Sequence, residues 1–168
     1  MSKLLATRST QRLQVAEFVF NYNDYVTDSV SGSKVTLGST VALADPSSMV
    51  SGLTGAVANT ITFDAIPMPV GAVIAGGEVI VETAVTGSTA YTVSVGIAGT
   101  LTALANAVSC LTAARTALTM TTTVPMIANT GTNLRLTIAY TVANATAGKV
   151  RVRVMYTIDG KADETVIA

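Results

Sequence analysis

Alternation of apolar and polar residues is the feature that most limits how this chain can fold. In the segment NLRLTIAYTV, residues 133–142, the large apolar residues are Leu134, Leu136, Ile138, Tyr140 and Val142. In the segment KVRVRVMYTI, residues 149–158, they are Val150, Val152, Val154, Tyr156 and Ile158. Because successive side chains of a strand point to opposite faces, each segment is predicted to be a strand with one buried face.

The short glycine-containing sequence between these two segments, ANATAGK, predicts that they pair as an antiparallel hairpin. Keeping the apolar faces together would place Tyr140 beside Val152. Arg135, Arg151 and Arg153 would then form a cationic stripe on the outer face, with no carboxylate on either strand. Guanidinium groups bind carboxylates well, so one hypothesis is that this stripe contacts acidic groups of a partner protein. The alternative is a solvated outer face.

Other segments repeat the same alternation. AYTVSVGI and GEVIVETAV each place apolar residues on one face, and weaker candidates lie at 15–22, 34–37, 60–63 and 118–124. The chain is therefore predicted to be all-β, an antiparallel β-sandwich of about eight strands with the topology of a jelly roll. One helix is expected near 101–115, because the apolar residues there follow helical spacing on an alanine-rich background: Leu101, Leu104, Val108 and Leu111. Threonine and serine weaken this pattern, so a strand is the alternative for its C-terminal half.

A proline-bounded corner precedes the strand GEVIVETAV. Pro67 and Pro69 fix φ and lack an amide proton, so they are expected to hold the chain extended just outside a sheet. Gly71 and the pair Gly76 and Gly77 are expected to allow the turn that follows. This predicts a stiff corner between two strands.

The N-terminal residues 1–12 do not follow the alternation. They contain Lys3, Arg8 and Arg12 and no acidic residue. We therefore expect an arm over 1–12 that lies outside the core and contacts another subunit or a partner, followed by one domain over 13–168. A frayed terminus is the alternative. The arm has no apolar stretch typical of a secretion signal, which favours synthesis in the cytoplasm without secretion.

Composition favours assembly over free diffusion. Only 12% of the residues are charged, acidic and basic residues balance, and the mean hydropathy is +0.54. A surface so poor in charge predicts extensive contact with neighbouring subunits. The balance of charge argues against nucleic acid as a partner, and the short apolar runs argue against a membrane span.

The residues needed for most enzyme chemistry are missing from the sequence. The chain has no histidine and a single cysteine, Cys110, which excludes histidine-dependent nucleophiles and the common zinc sites. Glu78 and Glu82 share a strand face but lie about 13 Å apart at ~3.3 Å per residue, too far for a glycosidase pair. We therefore expect no enzyme activity, no metal site and no cofactor.

Four features together resemble a known class of proteins: the segment IPMPVGAVIAGGEVIVETA, the segment YTVSVGIAG, the helix-like segment that follows it, and the terminal segment GKVRVRVMYTIDGKADET. They are similar in style to the jelly-roll cement or decoration proteins of tailed bacteriophages, over roughly residues 60 to 165. The resemblance implies a non-enzymatic virion protein that binds the outer capsid shell and stabilises it, and that is made in the host cytoplasm. Its implied partners are the major capsid protein and copies of itself, with a homotrimer favoured and a dimer as the alternative.

A second function is compatible with the same strands. A tail, fibre or other surface-binding β-module would recognise a host glycan or protein, and exposed aromatic side chains near Tyr22 and Tyr25 would favour it. On the decoration-protein hypothesis, the candidate contact residues are basic: Lys3, Arg8, Arg12, Arg135, Arg151 and Arg153.

Overall fold

The computed structural model describes residues 13–27, 34–38, 58–120, 132–141 and 144–158. These residues form ten β-strands and no helix. The strands are β1 (Gln14–Asn21), β2 (Tyr25–Thr27), β3 (Lys34–Thr36), β4 (Ala58–Met68), β5 (Ala72–Thr86), β6 (Ala90–Ile97), β7 (Thr100–Ser109), β8 (Ala114–Ala117), β9 (Thr132–Thr141) and β10 (Ala147–Ile158).

Eight of these strands form two four-stranded antiparallel sheets. One sheet has the order β1-β10-β5-β8 and the other has the order β4-β9-β6-β7, while β2 and β3 form a separate short hairpin. When the eight strands are numbered without that hairpin, the first pairs with the eighth (β1 with β10) and the second with the seventh (β4 with β9). The third pairs with the sixth (β5 with β8) and the fourth with the fifth (β6 with β7). This is the order of a jelly roll, so the predicted all-β sandwich and its topology are confirmed.

The core lies between the two sheets and is built from the alternating apolar residues. The side chains of Leu134, Leu136, Ile138, Val152 and Val154 are fully buried. The predicted inward faces are therefore confirmed from Leu134 to Tyr140 and from Val150 to Val154, whereas Tyr156 and Ile158, also predicted to face inward, are only partly buried. The prediction for Val142 falls outside the described residues.

The predicted terminal hairpin is wrong. β9 pairs with β4 and β6, whereas β10 pairs with β1 and β5 in the opposite sheet. The chain crosses from one sheet to the other between β9 and β10, so Tyr140 does not pair with Val152. Alternation determines which face of a strand is buried, but two strands that face the same core from opposite sheets satisfy it equally well.

The predicted helix near 101–115 is also wrong, because this part of the chain forms β7 and β8. β7 pairs with β6 through a ladder with two register shifts, and Ala107 within it has a positive φ of 48°. The Ala107 amide donates to Ser94 Oγ at 2.9 Å. Because a bulge adds one residue to a strand, the alternation of inward-facing side chains changes between Leu104 and Val108. The apolar residues of β7 are therefore spaced by three and four positions, as they would be in a helix.

The prediction that both prolines lie just outside a sheet is wrong for Pro67. Pro67 lies inside β4 opposite Asn133, which is compatible with pairing because β4 is an edge strand. The turn itself spans 69–72, where the Ala72 amide donates to the Pro69 carbonyl at 3.1 Å and Gly71 has a φ of 76°. Gly76 and Gly77 do not form part of the turn but lie within β5, where the ladder with β10 is irregular.

Candidate protein-interaction surface

The outer face of the sheet β1-β10-β5-β8 carries a continuous set of ion pairs. Its members are Arg115, Glu78, Arg153, Glu17, Arg151, Glu82 and Lys149, which we call the ion-pair ladder. They come from all four strands of the sheet. The register explains why they meet, since Glu17 lies opposite Arg153 and Arg153 lies opposite Glu78 across adjacent strand pairs.

The central contacts of the ladder are short and directional. Glu17 accepts from Arg153 Nε at 2.6 Å and from Arg151 Nη1 at 2.7 Å. Arg151 also donates through Nε to Glu82 at 2.6 Å, so one guanidinium group joins carboxylates of β1 and β5. Charge-assisted bonds of this length fix both the position and the orientation of the guanidinium planes.

The ends of the ladder are more accessible than its centre. Arg115 holds Glu78 in a bidentate pair, with Nη2 at 2.6 Å from Oε1 and Nε at 2.9 Å from Oε2. Lys149 lies 2.8 Å from Glu82 at the other end. The side chain of Arg115 is 66% exposed and that of Lys149 is 41% exposed, compared with 27% for Arg151. A partner approaching this face would therefore reach Arg115 and Lys149 most easily.

Each carboxylate of the ladder is stabilised in its ionised form. Hydrogen bonds from Arg153 and then Arg151 lower the pKa of Glu17 below its ordinary value of 4.5. Arg115 lowers the pKa of Glu78, and Lys149 together with Arg151 lowers that of Glu82. Four cations and three carboxylates leave this part of the face with a formal charge of about +1. The face is thus highly charged locally but almost neutral as a whole.

The predicted contact residues fall into three groups. Arg151 and Arg153 lie in the ion-pair ladder. Arg135 lies in the opposite sheet, where its Nε is 2.7 Å from Asp64 Oδ1. Lys3, Arg8 and Arg12 fall outside the described residues. The predicted single cationic stripe is wrong, because the sandwich separates Arg135 from the other two arginines and all three have carboxylate partners on neighbouring strands.

Sequence reasoning missed Glu17, Arg115 and Lys149 as members of this surface. Lys149 has the same alternation phase as Arg151 and Arg153, so the sequence contained a signal for it. The sequence pattern predicts a helix around Arg115, and it predicts a strand around Glu17 without indicating which strand lies beside it. The ladder depends on which strands are adjacent, and that information is not present in any one segment.

The outer face of the other sheet carries the Arg135–Asp64 ion pair and several threonine hydroxyl groups. Thr62 and Thr137 hydrogen-bond through their Oγ1 atoms at 3.0 Å, and Thr89 and Thr141 do the same at 3.0 Å. Thr62 is buried, at 2% exposure. This face therefore combines an ion pair with threonine pairs, and the Thr62 hydroxyl is too buried to contact a partner, whereas the ion-pair ladder links charges across four strands.

The aromatic residues named for the glycan-binding alternative lie at one end of the sandwich. Tyr25 is 53% exposed, and the Lys34 Nζ lies 4.5 Å from the centre of its ring. A shallow cleft of about 160 Å³ lies nearby, lined by Tyr22, Asn23, Thr36, Gly38, Asn144 and Ala145. Tyr22 is partly buried and packs against the core. An exposed ring beside polar side chains is the chemistry that a sugar-binding surface requires.

The other side chains that could take part in catalysis or metal binding lie in the core or in the ion-pair ladder. Cys110 is fully buried, and burial raises the pKa of its thiol to about 12, which suppresses the reactive thiolate. Glu78 and Glu82 are committed to ion pairs. Among the described residues, no group of three or more acidic, cysteine or histidine side chains is arranged to hold a metal ion. That part of the chain also contains no helix long and apolar enough to cross a membrane.

No protein-family model matches the sequence, and no curated protein is detectably similar to it. Among solved structures, the fold is similar to that of a chain in "Cyanophage Pam1 capsid asymmetric unit". The TM-score is 0.51 at 20% sequence identity, and the match covers 87% of this chain and 84% of that chain. The two chains share a fold over most of their length. Because the two covered fractions are nearly equal, the chains are also similar in size.

Proposed function

We propose that this protein is a non-enzymatic structural component of a phage virion, a decoration protein that binds the outer capsid shell and stabilises it. The observation that carries the proposal is the shared jelly roll with a chain of similar size in a capsid asymmetric unit. The composition supports it, because a chain with 12% charged residues gains solubility when neighbours cover its surface. The proposal includes copies of itself and the major capsid protein as partners.

The rigid surfaces of the sandwich suit this role. The ion-pair ladder fixes long side chains that would otherwise lose rotamer freedom on docking, at about 0.5–1.5 kcal/mol for each immobilised side chain. The short turn at 69–72 likewise restricts the backbone before any partner binds. A surface ordered in advance loses little entropy when many copies attach to a shell.

Purified virions provide the direct test. The phage that encodes this chain is expected to contain many copies of it, in a fixed ratio to the major capsid protein by quantitative mass spectrometry. Cryo-electron microscopy should place a jelly-roll density on the outer shell. Shells of a deletion strain should disassemble at a lower temperature and regain stability when the purified protein is added. Absence of the protein from virions would overturn the proposal.

A surface-binding module of the tail or fibre is the second candidate, and exposed Tyr25 is the observation that favours it. The same micrographs separate the two functions, because this candidate places the density on the tail. A matched pair of variants adds a binding test. Tyr25→Ala should abolish adsorption to host cells if the ring contacts a glycan, whereas Tyr156→Ala, which alters a partly buried tyrosine, serves as the control for fold damage.

A further inference from the structure

The four outer edges of the two sheets are not equivalent. β4 contains Pro67 and a bulge, β7 has two register shifts, and β8 has only four residues. Each of these features hinders pairing with a strand of another molecule. β1 is eight residues long, contains neither proline nor glycine, and pairs with β10 without a register shift. Among the described strands of the two sheets, β1 is therefore the edge with no such protection.

Hydrogen bonds next to β1 show which of its backbone groups face away from the sheet. The Tyr22 amide donates to the Gly148 carbonyl at 3.0 Å, in register with the β1–β10 ladder. In an antiparallel pair, the residues that bond to the neighbour alternate along the strand. The even-numbered residues of β1 consequently bond to β10, and the N–H and C=O groups of Val15, Glu17 and Val19 point outward. The Asn21 amide, which also points outward, is already bonded to Asp24 Oδ2 at 2.7 Å and ends the free edge.

The side chains along this edge are incompletely covered. Val15 is 53% exposed and Val19 is 37% exposed on the outer face. On the inner face, Ala16 and Phe18 are only partly buried, although Phe18 packs against Phe63 with ring centres 5.6 Å apart. Both faces of β1 would thus bury apolar surface if another strand were added beside it.

We propose that β1 pairs with β1 of a second copy of this chain, antiparallel and about a two-fold axis at Glu17, to join two sheets into one of eight strands. In this register Val15 lies opposite Val19 of the second copy on the outer face. On the inner face, the small Ala16 lies opposite the large Phe18 of the second copy. The three outward-facing residues of each strand pair with one another and form about six hydrogen bonds. The edge is therefore complementary to itself, which is the condition for a two-fold interface.

The register places the two Glu17 side chains next to each other, and the ion-pair ladder makes this possible. Each carboxylate already accepts hydrogen bonds from Arg151 and Arg153, so four guanidinium groups surround two carboxylates. Shifting the register by two residues toward the C-terminus would place Val15 opposite Asn21, whose amide is not free. The register centred on Glu17 pairs only the outward-facing backbone groups of Val15, Glu17 and Val19.

This inference does not depend on the proposed function, since pairing can be measured on the isolated protein. Five residues on each side form a small contact, so the affinity in solution should be weak. On a shell, the same contact would form between neighbouring copies held at high effective concentration. It could operate alongside a separate trimer interface.

Cysteine cross-linking tests the register. Val15→Cys and Val19→Cys proteins, oxidised as a mixture, should form disulfide dimers at least five-fold faster than either protein oxidised alone. Glu17→Cys should form dimers by itself. Val70→Cys is the matched control, because Val70 is an equally exposed valine, at 52%, located in the turn between β4 and β5. Buried Cys110 can remain in all of these proteins. Equal rates for the mixture, the single variants and the control would overturn the proposal.

A blocking variant tests the contact without cross-linking. Val19→Lys should lower the concentration-dependent mass seen by sedimentation equilibrium and weaken self-association at least ten-fold, whereas Val70→Lys should change neither. Circular dichroism confirms that both variants fold. Self-association that Val19→Lys leaves unchanged would overturn the proposal. The alternative occupant of this edge is the segment 1–12 of the same chain. In that case, deleting these residues should strengthen self-association. That result would also count against pairing between copies of the full-length protein.

Discussion

Tyr91 connects the short β2–β3 hairpin to the core of the sandwich. Its side chain is buried and stacks on Tyr140 with ring centres 6.1 Å apart. Its hydroxyl donates to the Leu37 carbonyl at 2.7 Å, and Leu37 is itself buried just after β3. One side chain from β6 therefore satisfies a backbone group of a segment that otherwise belongs to neither sheet.

Replacing Tyr91 by phenylalanine is expected to lower the free energy of unfolding by about 1–3 kcal/mol, because the Leu37 carbonyl would lose its hydrogen bond in a buried site. Urea unfolding followed by circular dichroism measures the loss. Tyr140→Phe is the matched control, since it removes a hydroxyl from the stacked partner and leaves the bond to Leu37 intact. Equal losses in the two variants would show that this hydrogen bond does not stabilise the fold.

The carboxylates of the ion-pair ladder predict acid sensitivity. The pKa values of Glu17, Glu78 and Glu82 are lowered in the folded state, so folding is favoured while these groups are ionised. Their contribution is fully present above the ordinary value of 4.5 and is lost as the pH falls through the lowered pKa values. The melting temperature should therefore decrease between neutral pH and pH 3. The triple glutamine variant should show a shallower decrease, and an unchanged slope would contradict this account.

At the scale of strands, Gly77 shows why β5 can pass so close to β10. A Cβ at this position would meet the Arg153 carbonyl oxygen, Leu118 Cδ1 at 2.6 Å and Val154 Cα at 3.1 Å. At the adjacent Gly76, the nearest contact of a Cβ would be the flexible end of Met155 at 3.1 Å. The two glycines are neighbours in sequence, but only Gly77 is packed against backbone.

Gly77→Ala is accordingly expected to destabilise the protein by more than about 1 kcal/mol, whereas Gly76→Ala should change stability by much less, since Met155 can move. Chemical denaturation of the two variants under the same conditions provides the comparison. If both alanines cost the same, the close approach of β5 to β10 is not what requires glycine at 77.

Strand faces could be predicted from the sequence, whereas strand neighbours could not. The alternation around Ile138 and Val152 identified buried faces that the structure confirms. Pairing depends on long-range contacts, and the crossing between sheets after β9 leaves no local trace. The helix prediction around Ala107 was wrong for a different reason. Alanine favours helix intrinsically, but pairing with β6 and the hydrogen bond from the Ala107 amide to Ser94 hold this segment in a bulged strand. The ion-pair ladder could not be predicted from the sequence either, because its members lie on four strands whose pairing the sequence does not reveal.

At the scale of the molecule, the two outer faces of the sandwich differ in the charges that they present to a partner. The ion-pair ladder gives one face linked charges with a sum near +1, and the Arg135–Asp64 pair and the threonine pairs add no net charge to the other face. Neither face presents a strong uniform field, so long-range electrostatic steering toward a partner should be weak. Attachment would then depend on shape, backbone edges and repeated copies. Lys3, Arg8 and Arg12 add three positive charges near the N-terminus for such contacts.

The last prediction concerns those N-terminal residues. Residues 2–12 carry Lys3, Arg8 and Arg12, and the first described strand begins at Gln14. Deleting 2–12 removes no described strand and no member of the ion-pair ladder. The free energy of unfolding should therefore stay within about 0.5 kcal/mol of that of the full chain. Assembly should weaken, as measured by light scattering at micromolar concentration and by binding to empty shells. A full-length variant with glutamine at the three basic positions separates the two possible causes. Weak assembly of this variant assigns the effect to charge, and normal assembly assigns it to the chain itself. Loss of folding on deletion would instead show that 2–12 belong to the core.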